Sequence, residues 1–262
     1  MNLDLKNKNA IVCGSTQGIG KACAIALAKL GANVTLVARN ENELQKVITE
    51  LDTSQKQTHD LVCADFSDPA SLKGKIEKHI AIKKVIHILV NNTGGPAGGP
   101  IVDAKTEEFT QTFSNHLLCN HILMQAVVAG MKEVQFGRII NIISTSVKQP
   151  LKGLGVSNTI RAAVANWSKT LSMELAPFGI TVNNVLPGAT LTSRLTSLLD
   201  IKSKKTGASV DKLKEEMLRE IPMNRFAQAI EVANAVAFLA SPAASYITGI
   251  NVPVDGGRTG SL

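Results

Sequence analysis

Short runs of β-branched and aliphatic residues alternate with longer helical patterns along the chain, and this alternation restricts the fold more than any other feature. Runs that predict strands lie at residues 10–13, 33–38, 61–64, 87–90, 138–143, 181–186 and 251–254. Apolar residues at helical spacing predict helices at 19–30, 41–51, 69–83, 107–131 and 160–175. Strands that are apolar throughout are typical of a parallel sheet with helices on both faces. The sequence therefore predicts an α/β protein with a doubly wound, mostly parallel sheet of seven strands.

No linker, repeat or low-complexity tract divides the 262 residues, so we predict a single domain spanning residues 1–262. The segment 190–224 is the exception to the regular pattern, because it is polar and rich in lysine and no element is predicted in it. It follows the strand at 181–186 and so starts at the carboxyl edge of the sheet. There it could form a flexible lid over a bound substrate.

A glycine-rich loop separates the first strand from the first helix, and it reads GSTQGIG at residues 14–20. The glycines permit a tight turn and a close approach of backbone to ligand, and free N–H groups at the helix start suit a pyrophosphate. An ordinary strand–helix turn would also explain the loop, but its place at the first junction of an α/β chain favours dinucleotide binding. The predicted cradle consists of Gly14, Ser15, Gln17, Gly18, Ile19 and Gly20.

Further motifs follow this loop in a fixed order. They are NNTG at 91–94, Asn115 in the long helix, Ser144 after the fifth strand, VN at 182–183, and Pro187-Gly188 with Thr192. The C-terminal part adds IP at 221–222, RF at 225–226, EV at 231–232, FL at 238–239, ITG at 247–249 and VDGG at 254–257. Together they resemble the short-chain dehydrogenase/reductase family over essentially the whole chain, and above all its 3-oxoacyl-carrier-protein-reductase-like branch. The resemblance implies a Rossmann-type fold and an oxidoreductase that acts on an alcohol/carbonyl pair.

The resemblance also implies a position for each part of a dinucleotide. A carboxylate after the third strand would accept a hydrogen bond from the adenine amino group, the loop after the fourth strand would line the ribose, and the loop after the sixth would hold the nicotinamide carboxamide. The residues at those positions are Asp65 and Phe66 for the adenine, Asn91, Thr93 and Gly94 for the ribose, and Pro187, Gly188 and Thr192 for the carboxamide.

The end of the second strand indicates which dinucleotide would bind. In the family an acidic residue here binds the 2′-hydroxyl of NAD, whereas this chain has Ala38, Arg39 and Asn40. Because an arginine fork can bind a 2′-phosphate through two hydrogen bonds, we expect NADP(H) to be favoured over NAD(H), with Arg39 and Asn40 in the phosphate site. A solvated loop arginine is the alternative, and the family's other basic position, just before Gly18, holds Gln17.

The family's usual proton donor is absent. Carbonyl reduction needs a group that supplies a proton to the developing alkoxide, and in the family a tyrosine does so, with a lysine one helical turn later and a serine. Counted from Ser144 by the family's interval, the tyrosine position falls on Ser157 and the lysine position on Arg161. The sole tyrosine, Tyr246, belongs to the C-terminal YITG sequence and cannot substitute. An aliphatic hydroxyl is a much weaker acid than a phenol and arginine stays protonated, so the same chemistry cannot be repeated.

Ser157 and Arg161 nevertheless share one helix face, because they are spaced i, i+4. Arg161 could bind the nicotinamide ribose and stabilise negative charge, while Ser157 donates a hydrogen bond. The proton could come from water or from Lys148, for which a solvated charge or an anion clamp are the alternatives. We interpret His116 as a packed helix histidine, with a catalytic role as the alternative. The predicted catalytic set is Ser144, Asn115, Ser157, Arg161 and Lys148.

The charge balance limits the partners. The chain has 28 Lys and Arg against 21 Asp and Glu, a net charge of +7, which can attract nucleic acid, acidic membranes or phosphorylated small molecules. No aromatic interleaving or nucleic-acid motif accompanies the lysines at 73–84 and 202–205, so we interpret them as solvated faces, with the lid lysines also able to attract an anionic substrate. No apolar run approaches the roughly 18 residues that span a bilayer. We expect a small-molecule substrate, and neither nucleic acid nor a membrane as partner.

Cysteine and histidine usage predicts a metal-free chain in a reducing compartment. The four cysteines are far apart, and neither they nor the five histidines show metal-ligand spacing. Residues 1–8 lack the apolar segment of a secretory signal. We therefore expect a cytoplasmic protein.

Two functions stay open at this point. An NADP(H)-dependent oxidoreductase, with 3-oxoacyl thioesters among its candidate substrates, would have a use for Ser144 and Asn115. A cofactor-binding sensor or structural homologue without redox turnover would fit the missing tyrosine. In either case we expect a homotetramer, because the helical segments 107–131 and 157–175 carry more apolar surface than one sheet face needs. The resemblance implies pairing through these helices and the strand at 254–257.

Overall fold

All seven strands belong to one parallel sheet. The computed structural model, which describes residues 1–261, has the strands β1 (Asn9–Cys13), β2 (Asn33–Ala38), β3 (Asp60–Cys63), β4 (Ile88–Asn91), β5 (Gly137–Ile142), β6 (Ile180–Pro187) and β7 (Asn251–Val254). Their order is β3-β2-β1-β4-β5-β6-β7, and every neighbouring pair is parallel. The predicted doubly wound sheet is confirmed, with each strand within about one residue of its expected bounds.

Helices cover both faces of the sheet. They are α1 (Gly18–Lys29), α2 (Glu41–Ile48), α3 (Pro69–Lys83), α4 (Thr106–Phe113), α5 (Cys119–Glu133), α6 (Gly155–Leu175), α7 (Ser193–Thr206), α8 (Val210–Arg219) and α9 (Ala229–Ala240). On one face the apolar core includes Leu27 of α1 and Val236 of α9. On the other it includes Leu72 of α3 and Leu123 of α5. This three-layer arrangement explains why the strands are apolar on both sides.

The strand order reverses between β1 and β4, because the chain runs outward from β1 to β3 on one side and continues from β4 to β7 on the other. Ligands of such sheets bind beyond the carboxyl ends of the strands at this reversal. The loops that follow β1, β4, β5 and β6 therefore share one edge. They contain the glycine cradle, the NNTG sequence, Ser144 and Thr192.

The long helix predicted at 107–131 is present, but it contains a turn of a different helix type that was not predicted. A π-helical turn at Ser114–Leu118 separates α4 from α5. A π turn takes in an extra residue and changes the direction in which the following side chains point, which apolar periodicity alone does not reveal. Both Asn115 and His116 lie in this turn.

The segment 190–224 contains two helices, which corrects the prediction of an irregular region. The hydroxyl of Thr192 accepts a hydrogen bond from the Leu195 amide at the start of α7 (3.4 Å), and Gly207 ends the helix with φ of 72°. Ser209 caps α8 in the same way. Three leucines of this lysine-rich segment are buried and pack into a small apolar cluster. They are Leu195, Leu199 and Leu213.

Helix α9 has no counterpart among the predicted elements. Its sequence AIEVANAVAFLA is apolar almost all round, and Val232, Val236 and Ala240 are fully buried. Its outer side is also largely apolar, since Ile230 is 43% exposed and Phe238 is half-buried, so the helix lacks the amphipathic pattern that would reveal it.

Candidate active site

The loop after β1 folds into a cradle that has no room for side chains at two of its glycines. Gly14 has φ of 58°, and a Cβ there would stand 2.7 Å from the carbonyl oxygen of Asn92. A Cβ on Gly20 would stand 2.1 Å from the carbonyl oxygen of Gly14. The Asn92 amide donates to the carbonyls of Cys13 (3.2 Å) and Gly14 (3.3 Å). The glycine spacing is thus needed to pack the first strand, the first helix and the β4 loop together.

Helix α1 begins without a side-chain cap. Gln17 occupies the N-cap position but makes no capping hydrogen bond, and no acidic residue lies in the first turn. The first-turn N–H groups and the positive end of the helix dipole are therefore available to an anion. The Gln17 side chain instead accepts a hydrogen bond from the Ser193 hydroxyl (3.1 Å). A Cβ on Gly18 would stand 3.2 Å from Thr192 Cγ2, so the start of α7 lies directly over the cradle.

The other two predicted cradle residues have side chains that face the protein. Ser15 is buried, and its hydroxyl donates to the Val37 carbonyl (3.4 Å). Ile19 packs against the apolar core beneath α1. Only their backbone groups are left to approach a ligand.

The residues predicted to bind adenine and a 2′-phosphate lie at the exposed ends of β2 and β3. Asn40 caps α2 by accepting a hydrogen bond from the Glu43 amide (3.2 Å). The Asp65 carboxylate accepts a hydrogen bond from the Ser67 amide (2.9 Å). That bond, with a smaller contribution from the Arg39 guanidinium, holds the pKa of Asp65 below its usual range. Arg39 and Asp65 are thus close enough to share one nucleotide end.

The loop after β4 leaves space above its glycine. Asn91 is buried at the strand end, where its amide donates to Asn141 Oδ1 (2.8 Å) and its own oxygen has no partner among residues 1–261. A Cβ added to Gly94 would meet no atom within 4 Å. The face of Gly94 is therefore open toward the edge where the predicted ribose site lies.

The loop after β6 is held by the last strand. The Gly188 amide donates to the Val254 carbonyl (2.9 Å), and a Cβ on Gly188 would stand 2.7 Å from Asp255 Cα. This close packing directs the chain from Pro187 back over the sheet edge to Thr192. The predicted carboxamide loop is therefore rigid at its base.

Arg161 contacts the end of β5, the strand that directly precedes the loop with Ser144. Ser144 Oγ accepts a hydrogen bond from the Ser146 amide (3.1 Å), which leaves its O–H to donate elsewhere. Arg161 is only 9% exposed, and its Nη1 donates to the carbonyl of Ile142 (2.8 Å). Because Ile142 is the last residue of β5, this bond fixes the helix face that carries Ser157 and Arg161 beside the strand end that carries Ser144. Ser157 is half-buried, and its hydroxyl makes no hydrogen bond within the described residues.

Lys148 and Asn115, the other two members of the predicted catalytic set, lie on different elements. Lys148 is half-buried at the end of the short 3-10 turn after Ser144. Asn115 faces the β3 side: in the amide orientation that satisfies its surroundings, its nitrogen donates to the Phe66 carbonyl (2.9 Å). Cys119 Sγ donates to the same carbonyl (3.3 Å). The side chain of Asn115 thus connects the π turn to the loop after β3.

His116 is buried in the π turn, with 4% of its surface exposed, and its Nδ1 lies 2.5 Å from Thr93 Oγ1. Burial, reinforced by the charge of Arg161 and more weakly by that of Arg194, lowers the pKa of His116 to about 2. The imidazole is therefore neutral at physiological pH. It contacts a predicted ribose residue, which the interpretation as a merely packed histidine did not anticipate.

Arg194 is a further candidate site residue, which the sequence analysis did not include. It lies in the first turn of α7, and its Nη2 donates to the Pro96 carbonyl. A Cβ on Gly95 would stand 3.3 Å from this nitrogen and 3.7 Å from Nη2 of Arg161. Two guanidinium groups therefore reach the same residue. The sequence offered one indication of its role, because Arg194 follows the predicted carboxamide residue Thr192 by two positions. Arg194 was not considered because it lies in the segment 190–224, for which no element was predicted.

No group of three His, Cys, Asp or Glu side chains among residues 1–261 could hold a metal ion. No helix in the same range combines the length and the apolar character needed to cross a bilayer.

Comparison with known families gives one model that spans nearly all of the chain. The model described as "Enoyl-(Acyl carrier protein) reductase" matches residues 14–259. The matched range begins at the first glycine of the cradle and extends past the last strand. It therefore includes every residue of the edge described above.

Individual relatives match over the same length. The chain is 33% identical over 259 residues to the NADPH-dependent reductase BacG of Bacillus subtilis (strain 168). The matched region covers 98% of this chain and 100% of BacG. The chain is also 34% identical over 255 residues to the 3-oxoacyl-[acyl-carrier-protein] reductase FabG of Escherichia coli (strain K12), covering 97% and 98%. The solved structure of L-sorbose reductase from Gluconobacter frateurii, complexed with NADPH and L-sorbose, has a TM-score of 0.92 at 30% identity and covers 100% of both chains.

Proposed function

The chain belongs to the short-chain dehydrogenase/reductase family, and on that premise we propose that it is an NADP(H)-dependent oxidoreductase that interconverts an alcohol and a carbonyl compound. The observation that carries the proposal is the uncapped start of α1, which lies behind the glycine cradle where the strand order reverses. Relatives whose names specify NADPH-dependent reduction support it.

The residues at this edge fit a dinucleotide. The first-turn N–H groups of α1 suit the pyrophosphate. The open face of Gly94 suits the nicotinamide ribose. Thr192, placed over Gly18, is near enough to the cradle to hold the carboxamide of the same molecule. The cofactor would therefore extend from the end of β2, across α1, to Ser144.

Arg39 favours the phosphorylated form of the cofactor. It is exposed at the end of β2 and makes no ion pair within 4.0 Å to a carboxylate among residues 1–261. Its guanidinium is therefore available for a 2′-phosphate. The Asp65 carboxylate is near enough to Arg39 for the guanidinium to lower its pKa, and its negative charge would repel a 2′-phosphate. The hydrogen bond from the Ser67 amide directs this carboxylate toward its own loop.

The catalytic centre supplies hydrogen bonds and charge to the substrate oxygen. NADPH, when bound, supplies a hydride to the carbonyl carbon. Ser144 and Ser157 donate hydrogen bonds to the oxygen as negative charge develops on it, and Arg161 stabilises that charge. The bond from Arg161 to Ile142 holds this side chain in place before the substrate binds.

Water, relayed through the Ser157 hydroxyl, is the proposed source of the proton. His116 cannot provide one as an imidazolium, because its pKa is about 2. Burial, with a contribution from Arg194, lowers the pKa of Arg161 to about 10, so this guanidinium stays charged at neutral pH. Ser157 can lose its proton to the alkoxide and regain one from solvent. Lys148 is the second candidate for the same role.

Three further proposals concern the surroundings of the site. Asn115 acts as a positioning residue, because its amide holds the π turn against Phe66. The segment 190–224 acts as a lid, because its Ser193 and Arg194 already contact the cradle and the β4 loop. The cytoplasm, as a reducing compartment, suits four cysteines that are all free.

The protein is further proposed to form a homotetramer. Phe113, Leu118 and Met173 leave apolar surface uncovered on α4, the π turn and α6, with exposed fractions of 38%, 42% and 64%. Burying such surface between identical helices gives isologous contacts that close into dimers and then tetramers.

Cofactor titration and substrate screening together test the function. We expect NADPH to bind, as followed by its fluorescence, and to be oxidised with at least one class in a panel of ketones, 3-oxoacyl thioesters and sugars. Absence of NADPH binding would contradict the proposal. Tight binding without oxidation by any class would instead support the cofactor-binding sensor.

A further inference from the structure

Arg161 and Arg194 converge on one residue at the substrate side of the site. Their Nη2 atoms stand 3.7 Å and 3.3 Å from the position that a Cβ on Gly95 would occupy. Arg161 comes from α6 and Arg194 from α7, so two separate elements direct guanidinium groups to the same place. Each is fixed by one backbone carbonyl, that of Ile142 for Arg161 and that of Pro96 for Arg194. Their further N–H donors are left for another partner.

In the part of the chain that the structure describes, no acidic side chain forms an ion pair with either arginine. Arg161 is almost completely buried and Arg194 is half-buried. Burial lowers the pKa of both, and the charge of Arg194 lowers that of Arg161 further. A buried and a half-buried charge of the same sign, with no counterion within 4.0 Å among residues 1–261, are costly, and an anion between them would reduce that cost.

We propose that Arg161 and Arg194 form a carboxylate site, and that the substrate is an oxo acid, or the corresponding hydroxy acid, whose carboxylate binds between the two guanidinium groups. The proposal rests on the proposed function. Guanidinium groups bind carboxylates through paired, charge-assisted hydrogen bonds, which gives both affinity and orientation.

The position of the pair also limits where the reacting carbonyl stands in the substrate. Arg161 follows Ser157 by one helical turn on the same face, and side chains at this spacing have Cβ atoms roughly 5–6 Å apart. A carboxylate held by Arg161 therefore places an oxo group on the second or third carbon near the Ser157 and Ser144 hydroxyls. A thioester, by contrast, brings no negative charge to the pair, so free 2-oxo and 3-oxo acids should be preferred over acyl thioesters.

The anion could have another source, the pyrophosphate of the cofactor. The pyrophosphate belongs at the start of α1, where Gly18 lies beneath Thr192. Arg194 is directed away from that point, toward Gly95 and Pro96 in the loop after β4. This direction favours the substrate carboxylate, and the two sources predict different losses when Arg194 is replaced.

The test compares each acid with its methyl ester, so that only the negative charge changes. The probes are phenylglyoxylate against methyl phenylglyoxylate, and acetoacetate against methyl acetoacetate. Binding is measured as the rise in Tm of the full chain saturated with NADP⁺, where no turnover takes place, and kcat/KM is measured with NADPH. We expect at least one acid to raise Tm while its ester does not, and that acid to be reduced at least tenfold more efficiently.

Replacement of Arg194 then separates the two sources of the anion. Arg194→Met should weaken binding of the acid at least tenfold, remove the preference over the ester, and change the Kd for NADPH by less than twofold. Arg194→Lys keeps the positive charge and should retain part of the preference for the acid. This second variant keeps the test valid if Arg194→Met does not fold. The matched control is Arg219→Met, which removes the same charge from an exposed position on α8; it should leave both preferences unchanged.

Several outcomes would overturn the carboxylate site while leaving the oxidoreductase proposal intact. Acids and esters could raise Tm equally or not at all while NADPH still binds. Arg194→Met could weaken NADPH binding tenfold and keep the preference for acids, which would assign the pair to the pyrophosphate. Failure of the proposed function would look different, because the wild-type protein would not bind NADPH in the first place.

Discussion

His116 Nδ1 lies 2.5 Å from Thr93 Oγ1, and this contact joins the π turn to the loop after β4. Both partners are constrained: the imidazole is buried, and Thr93 lies between the strand end and the open face of Gly94. The backbone hydrogen bonds of a π turn are less favourable than those of a regular α-helix. Such a turn is therefore retained where a specific contact stabilises it. The contact therefore links the geometry of the long helix to the position of the loop that would line the ribose.

Thr93→Ala tests this link through stability. The substitution leaves a buried imidazole nitrogen without its partner, which commonly costs about 1–3 kcal/mol. We expect the free energy of unfolding, measured by urea denaturation at pH 7.5, to fall by about that amount. Thr93→Ser retains the hydroxyl and should recover most of the loss. An alanine variant as stable as the wild type would show that the contact contributes nothing.

Acid should destabilise the fold before any carboxylate is protonated. Burial lowers the pKa of His116 to about 2 and that of His87 to about 4, the latter with help from Lys8. In the unfolded chain both have a pKa of about 6.5. Below pH 6.5 the unfolded state therefore binds more protons than the folded one, and stability falls as pH falls, by up to about 1.4 kcal/mol per pH unit for each histidine.

Urea titrations at pH 8, 7, 6 and 5 measure this dependence. We expect little change between pH 8 and 7 and a progressive loss from pH 6.5 to 5, with His79, whose pKa burial also lowers, contributing in the same direction. His87→Asn should make the loss between pH 6 and 5 shallower, because its neutral side chain accepts no proton. An unchanged slope in this variant would show that His87 does not titrate as its burial requires.

The strands were predictable because burial on both faces makes each of them a continuous apolar run. Helix α9 was missed because it is apolar on its outer side as well as on its buried side, and so has no polar stripe. Helices α7 and α8 were missed because three leucines are dispersed among exposed lysines, and only their packing into one cluster shows that they matter.

The backbone geometry of the candidate site was predictable where a motif fixes it, as at the close-packed glycines Gly14 and Gly20. Arg194 and the contact between His116 and Thr93 were not, because each depends on elements distant in sequence: α7 over the β4 loop, and a π turn against a strand end. A single sequence shows which residue types are present, but the convergence of two arginines on Gly95 is a property of the tertiary fold.

Oligomeric state tests the proposed use of the exposed apolar helix faces. We expect light scattering at micromolar concentration to give the mass of a tetramer. Leu118→Glu places a charge on the exposed apolar surface of the π turn and should shift the protein to smaller species, because an unpaired charge in an interface is costly. A monomeric wild-type protein would contradict the proposal.

Cofactor preference tests the role of Arg39. We expect NADPH to bind more tightly than NADH, as measured by fluorescence titration. Arg39→Ala should weaken NADPH binding by roughly tenfold, about 1.4 kcal/mol, by removing a charge-assisted contact, while NADH binding changes little. Lys46→Ala, which alters an exposed ion pair on α2, serves as the control. Equal affinities in the wild type, or an unchanged preference in Arg39→Ala, would remove the basis for NADP(H).

The proposed catalytic centre is tested by removing its hydroxyl and its charge in turn. Ser144→Ala deletes a donor to the developing oxyanion, a contribution commonly worth about 2.7–4 kcal/mol. We expect kcat to fall by about a hundredfold or more while the Kd for NADPH stays near the wild-type value. Arg161→Ala should weaken both substrate binding and turnover, because its guanidinium is buried at the same strand end as Ser144.

Introducing tyrosine at Ser157 and lysine at Arg161, the residues that the family resemblance implies there, gives the complementary test. Tyrosine is much larger than Ser157, and a lysine at 161 would lose the fork that bonds the Ile142 carbonyl. The double variant Ser157→Tyr, Arg161→Lys should therefore not exceed wild-type kcat/KM on the best substrate found. Two results would contradict the proposed centre of Ser144, Ser157 and Arg161. One is a Ser144→Ala variant with the wild-type kcat, and the other is a double variant whose kcat/KM exceeds that of the wild type.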